Sequence, residues 1–138
     1  MAEALILDSE AVNALAYPSK RAALAQRASA ILRLAYQRRA LVRVPAPVLA
    51  EVCRGVKQDA AINLLLNNPG VLVFDLTRSV AQQAGQMLGR LKLSSAHAID
   101  AFVVATALQF ETAVIATGDP RDMQRLAARF PQIGVLAL

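Results

Sequence analysis

One cysteine, one histidine and no tryptophan occur in the 138 residues of this chain. A lone cysteine excludes an internal disulfide, and with a single histidine it cannot furnish the nitrogen and sulfur ligands of a zinc site. Any metal is therefore expected to be a hard ion held by oxygen. Two tyrosines and four phenylalanines are too few for the stacking platforms on which sheets and clefts hold unstacked bases. Hydrophobic residues make up 56% of the chain, yet no apolar run approaches the roughly 18 residues of a bilayer helix, so no membrane partner is expected. The opening Met1-Ala-Glu-Ala-Leu-Ile-Leu-Asp8 lacks the basic stretch of a secretory signal, which points to a cytoplasmic chain. Acids are scarce as well, 10 against 15 basic residues, for a net charge of +5. From Lys20 to Lys57 the basic residues are Lys20, Arg21, Arg27, Arg33, Arg38, Arg39, Arg43, Arg54 and Lys57, and the single acid is Glu51. Such a distribution favours a polyanionic partner, met through its backbone phosphates.

No repeat, low-complexity tract or Gly/Ser linker divides the chain, and its length suits one domain, 1–138, with a single core. Five short apolar runs read as strands: Leu5 to Leu7, Leu41 to Val44, Val71 to Phe74, Ala113 to Ala116 and Gly134 to Ala137. Helical spacing lies between them. Ser19 can cap a long helix to about Arg39, Pro47 suits a first turn leading to Gly55, and Asp59 can cap a short helix ending by Asn67. Thr77 opens a helix to about Leu91, another runs from Ser95 or Ala96 to Phe110, and Asp119-Pro120 begins the last. Gly85 and Gly89, four apart, suggest close helix packing. Strands alternating with helices imply an α/β fold with a mostly parallel sheet covered on both faces.

In such a sheet ligands bind along the edge formed by the strands' carboxyl ends. Asp8 follows the first strand and Asp119 the fourth. Glu51 lies in the helix leaving the second strand, and Asp100 in the first turn of the helix that feeds the fourth. Ala98 to Leu108 is apolar apart from Asp100 and Thr106. A helix apolar on nearly every side is a buried one, and an uncompensated carboxylate beside it would be costly. A divalent cation, Mg²⁺ or Mn²⁺, supplies the compensation and offsets the repulsion among the acids. Each acid also has an ordinary reading. Asp8 and Asp119 can cap helices, Glu51 can pair with Arg54, and Asp100 can pair with an arginine of the long basic helix. Asp75 follows the third strand, and Asp122 reads as a helix cap. Cys53 with His97 could form a thiol dyad, but a structural cysteine is the simpler reading.

Four segments carry a resemblance: Leu5-Ile-Leu-Asp8-Ser9, Leu49-Ala-Glu51-Val-Cys-Arg-Gly55, His97-Ala-Ile-Asp100-Ala-Phe-Val-Val-Ala-Thr-Ala107 and Val114-Ile-Ala-Thr117-Gly-Asp119-Pro120. Together they resemble a PIN domain, of the kind found in VapC-type toxin ribonucleases of bacterial toxin–antitoxin pairs. The resemblance implies a three-layer α/β/α fold with a five-stranded sheet in the order 3-2-1-4-5 and metal-dependent endoribonuclease activity; in that order Asp75, two strands from Asp8 at about 4.8 Å per strand, stands too far away to be a ligand. Asp8, Glu51, Asp100 and Asp119 match the family's acidic positions, and Ser9 and Thr117 its small hydroxyls near the metal. Glu10 and Gly118 depart from the usual residues. The implied partners are RNA, with Arg38, Arg39 and Arg54 as phosphate contacts, a small antitoxin protein and a second copy of the chain.

Two other classes compete. A phosphoacceptor receiver domain is also a small α/β protein with acids at this edge, and Asp8, Glu10 and Asp75 imitate part of its site, but Ala116-Thr117-Gly118 lacks the lysine it needs. A non-catalytic module would use the acids only as helix caps and the basic face to dock nucleic acid or an acidic partner.

Overall fold

The computed structural model describes residues 3–138. Five strands, β1 (Glu3–Leu7), β2 (Leu41–Pro45), β3 (Val71–Phe74), β4 (Thr112–Thr117) and β5 (Ile133–Ala137), form one sheet in the order β3-β2-β1-β4-β5, with every neighbouring pair parallel. Parallel neighbours need crossovers, and helices supply them: α1 (Ser9–Ala16), α2 (Ala22–Gln37), α3 (Leu49–Val52), α4 (Ala60–Leu66), α5 (Arg78–Leu91), α6 (Ala98–Ala107) and α7 (Pro120–Ala127). Right-handed crossovers place α1 to α4 on one face and α5 to α7 on the other. The packing of α1 on α2 and α4, and of α6 on α5 and α7, agrees with this three-layer arrangement. The strand order differs from the 2-1-3-4-5 order of receiver-type sheets, which removes that reading.

The central strand β1 is the most buried. Ala4, Leu5, Ile6 and Leu7 are covered on both faces, and Ile115 of β4, Val42 and Val44 of β2, and Met123 and Leu126 of α7 complete the core around it. The apolar α6 is buried as its composition requires, from Ala101 through Ala107 apart from Phe102, which is partly covered. Its one internal hydroxyl, Thr106, donates to the Phe102 carbonyl at 2.8 Å, so the core holds no stranded donor there.

Several local expectations change. The long helix starts at Ala22, because Pro18 to Arg21 form a turn, and a separate short helix, α1, precedes it with Asp8 as its cap. Asp59 does not cap α4 with its side chain; its carboxylate instead accepts the N–H groups of Arg54 at 2.6 Å and Gly55 at 3.1 Å, closing the loop after α3. Gly55 there adopts φ 138°, a conformation glycine takes without strain. Gly85 and Gly89 do not mark close packing, since a methyl group at either would meet nothing within 4 Å.

Candidate active site

Parallel strands bring their carboxyl ends to one edge, and the register of β1 against β4, Leu7 opposite Ala116, sets Asp8 beside Thr117 at that edge. Asp8 is buried at 6% exposure. One of its oxygens accepts the Ala11 N–H at 3.0 Å, capping α1, and the Thr117 side chain hydrogen-bonds to the same carboxylate. Thr117 is fully buried, and its hydroxyl also accepts the Asp119 N–H at 2.9 Å, which fixes the turn from β4 into α7. Glu51, in α3, accepts a hydrogen bond from the Ser9 hydroxyl, so the first residue of α1 holds a carboxylate delivered by another segment. Asp100 lies in the first turn of α6, which runs down to the start of β4 and therefore begins at this edge.

Asp100 feels the negative charge gathered at this edge. Its pKa is pushed up to about 6 from the ordinary 3.8, first by burial and then by the negative charges of Asp8, Glu51, Asp119 and Asp122. Asp8 is raised as well, mainly by burial with a contribution from Glu10, while its bonds to Thr117 and Ala11 pull the other way. Asp8 is the buried member of the group, Asp100 is half-buried, and Glu51 and Asp119 are exposed, so the cluster opens to solvent on one side.

The ordinary readings fare unevenly. Asp8 does cap a helix, with one oxygen. Asp119 occupies the cap position of α7 but its side chain makes no capping bond. Glu51 bonds Ser9, while Arg54 turns its guanidinium to the carbonyls of Ala50 at 2.9 Å and Cys53 at 2.6 Å. Among the described residues no arginine or lysine forms an ion pair with Asp8, Glu51, Asp100, Asp119 or Asp122.

Two members of the cluster are not foreseen from sequence. Asp122, expected as a cap, turns its carboxylate towards Asp100 and His97, and His97 Nδ1 lies 4.0 Å from Asp122 Oδ2. Their spacing held the signal: His97 is three residues before Asp100, and Asp122 three after Asp119, so each pair shares a helix face. An imidazole nitrogen thus stands among donors expected to be oxygen alone. Asp75 does not contribute to the charge felt by Asp100.

Of the basic residues, Arg38 and Arg39 lie at the end of α2, just before β2 begins, and so at the opposite edge of the sheet from the carboxylates. Arg38 there pairs with Glu3 at 3.1 Å. Arg54, three residues after Glu51, lies in the loop that follows α3. Arg21, in the α1–α2 turn, pairs with Glu10 at 2.8 Å and borders a cleft of about 250 Å³ with Asn13, Tyr17 and Lys20. The Cys53 thiol is pushed up by burial and by Asp59, which leaves it a poor nucleophile.

The donor set suits a hard divalent cation. Carboxylate oxygens are the preferred ligands of Mg²⁺ and Mn²⁺, and the charge gathered on Asp100 by Asp8, Glu51, Asp119 and Asp122 is of the kind such an ion would offset. Among the described residues, the donor atoms that stand within 4.8 Å of one another are those of His97, Asp100 and Asp122, a set that does not include Asp8, Glu51 or Asp119.

Comparison with known proteins agrees with this arrangement. The PIN domain family profile matches residues 5–129. Among solved structures, VapBC2 from Rickettsia felis bound to a DNA fragment from its promoter has a chain of the same fold, with a TM-score of 0.66 at 12% sequence identity, covering 97% of this chain and 98% of that one. No curated protein matches in sequence. With most of its length matched by the family profile, and acids gathered at the carboxyl edge of a 3-2-1-4-5 sheet, this chain belongs to the PIN domain family.

Proposed function

We propose that this chain is a metal-dependent endoribonuclease, the toxin of a toxin–antitoxin pair. The observation that carries the reading is the half-buried Asp100, whose carboxyl is raised by burial and by the negative charges of Asp8, Glu51, Asp119 and Asp122, while among the described residues no arginine or lysine forms an ion pair with any of the five. Asp8, Glu51, Asp100 and Asp119 would hold Mg²⁺ or Mn²⁺. Such an ion, when bound, supplies a water of lowered pKa and neutralises charge on the leaving oxygen of a phosphodiester.

The protein's own part is positioning. Asp8 is fixed by burial and by its bonds to Ala11 and Thr117, and Glu51 by the Ser9 hydroxyl. Glu51 and Asp119 stand at the solvent side, where a phosphodiester can approach. Lys20 and Arg21, which border a cleft with Glu10, and Arg54, three residues from Glu51, would contact RNA phosphates, so RNA binding weakens as salt rises. Arg38 and Arg39 could reach only RNA that extends to the far edge. A cytoplasmic location, a small antitoxin as partner and a homodimer complete the reading, with the likeness to VapBC2 supporting the antitoxin. Among the described residues no helix is long and apolar enough to cross a membrane.

The test is cleavage of a defined RNA by the purified chain with Mg²⁺ or Mn²⁺ and with EDTA. Metal-dependent cleavage, lost in Asp8→Asn while circular dichroism is unchanged, supports the reading. RNA binding without cleavage at any metal concentration contradicts it and favours a non-catalytic docking module.

A further inference from the structure

His97 closes the short helical turn Ser95–His97 and leads into α6, and its backbone is held there by its own N–H bond to the Ser94 carbonyl at 3.1 Å. Its side chain does not cap α6. It is one-third exposed and turned towards the first turn of α7. One donor atom each from His97, Asp100 and Asp122 lies within 4.8 Å of the others.

The 4.0 Å between His97 Nδ1 and Asp122 Oδ2 is too long for a hydrogen bond. An octahedral ion with ligands at about 2.1 Å sets cis ligands about 3 Å apart and trans ligands about 4.2 Å apart, and the observed separation lies between the two. One ion shared by the three donors needs them to draw closer together than the 4.8 Å within which they stand. The proposal rests on the reading of the acidic cluster as a cation site. We infer that His97 gives that site a nitrogen ligand and thereby makes it select Mn²⁺ over Mg²⁺.

The chemistry of the donors argues the preference. Carboxylates accept either ion, so Asp8, Asp100 and Asp119 do not discriminate strongly. Imidazole binds transition ions well and Mg²⁺ poorly, because Mg²⁺ prefers oxygen and gives up its waters reluctantly. A mixed nitrogen and oxygen set is therefore a selectivity device, where an all-carboxylate set is not. The competing explanation is a plain ion pair between His97 and Asp122.

Pulsed electron paramagnetic resonance on the Mn²⁺-loaded wild-type chain separates the two. A ¹⁴N coupling of the strength of a directly bound imidazole, absent in His97→Gln, is the expected result; bound Mn²⁺ without that coupling overturns the inference. Calorimetry with each metal alone gives a second readout. The wild type is expected to bind Mn²⁺ at least about tenfold more tightly than Mg²⁺, and His97→Gln to lose about 10- to 100-fold in Mn²⁺ affinity with Mg²⁺ affinity nearly unchanged. Equal loss for both ions overturns the selectivity claim, and melting in EDTA shows whether the variant is folded. If the wild type binds neither ion, the cation site itself is wrong, and the inference falls with it. If Mg²⁺ and Mn²⁺ bind equally with no ¹⁴N coupling, only the inference falls.

Discussion

Glu10 lies across Gly118 so closely that a Cβ built at residue 118 would stand 2.5 Å from Glu10 Cγ and 2.7 Å from Glu10 Cβ. Glu10 and Gly118 are therefore one feature. The missing side chain at 118 makes room for Glu10 above the turn to Asp119, and Arg21 holds the Glu10 carboxylate at 2.8 Å. Gly118→Ala is expected to destabilise the fold by about 1–3 kcal/mol through this overlap. In a Glu10→Gly background the same change should cost much less, giving a coupling of about 1 kcal/mol or more in urea unfolding. Strictly additive effects would show that the two positions do not compete for space.

Ser9 acts on Glu51 across 42 residues of sequence. Ser9→Ala is expected to leave the fold intact and to weaken Mn²⁺ binding by about tenfold, as loss of a ligand-orienting partner does, with Ser9→Thr restoring it. Calorimetry checks this, and unchanged affinity in the alanine variant would assign Glu51 its position by other means.

The raised carboxyls set the pH dependence. Asp100 has a folded-state pKa of about 6 against an ordinary 3.8, so the folded chain holds more protons than the unfolded one between these values. Its contribution to stability is full below about pH 4 and is lost as pH rises through about 6; Asp8 shifts in the same direction. The metal-free protein is therefore expected to lose stability from these groups between about pH 4 and 7. A divalent ion binds the ionised form, so the rise in Tm on adding Mg²⁺ or Mn²⁺ should be larger at about pH 7.5 than at about pH 5. A metal shift that is the same at both pH values contradicts the assignment.

Gly85 and Gly89 sit on the exposed side of α5 with open space where a Cβ would go. Each glycine-to-alanine change is expected to stabilise the protein by about 0.5–1 kcal/mol through helix propensity, read as a higher urea midpoint. A loss of stability would restore the packing role that their spacing suggests.

What the sequence revealed was whatever depends on the chain's local pattern and on the rules of parallel sheets. The apolar runs gave the strands within a residue or two, and position after a strand placed Asp8 and Asp119 at one edge. The apolar flanks of Asp100 announced its burial. Asp122 and His97 escaped because their roles depend on how α6 packs on α7, which no run of sequence records. Asp122 also has an adequate local explanation as a first-turn acid, and that hid it. The end of α2 misled in the opposite way. Arg38 and Arg39 are conspicuous in sequence, but a helix leading into a parallel strand must end at the sheet's amino edge, away from the carboxylates. α1 shows in the sequence only through the cap that Asp8 offers, because eight residues give barely two turns of periodicity.

Thermal melting of the wild type and Asp100→Asn, each in EDTA and in millimolar Mn²⁺, bears most directly on the idea that these acids gather around a cation. The wild type should melt higher with Mn²⁺; Asp100→Asn, relieved of crowded charge, should melt above the wild type in EDTA and gain little from the metal. A wild-type Tm that ignores Mn²⁺, together with a metal-free Asp100→Asn no more stable than its parent, would contradict the account.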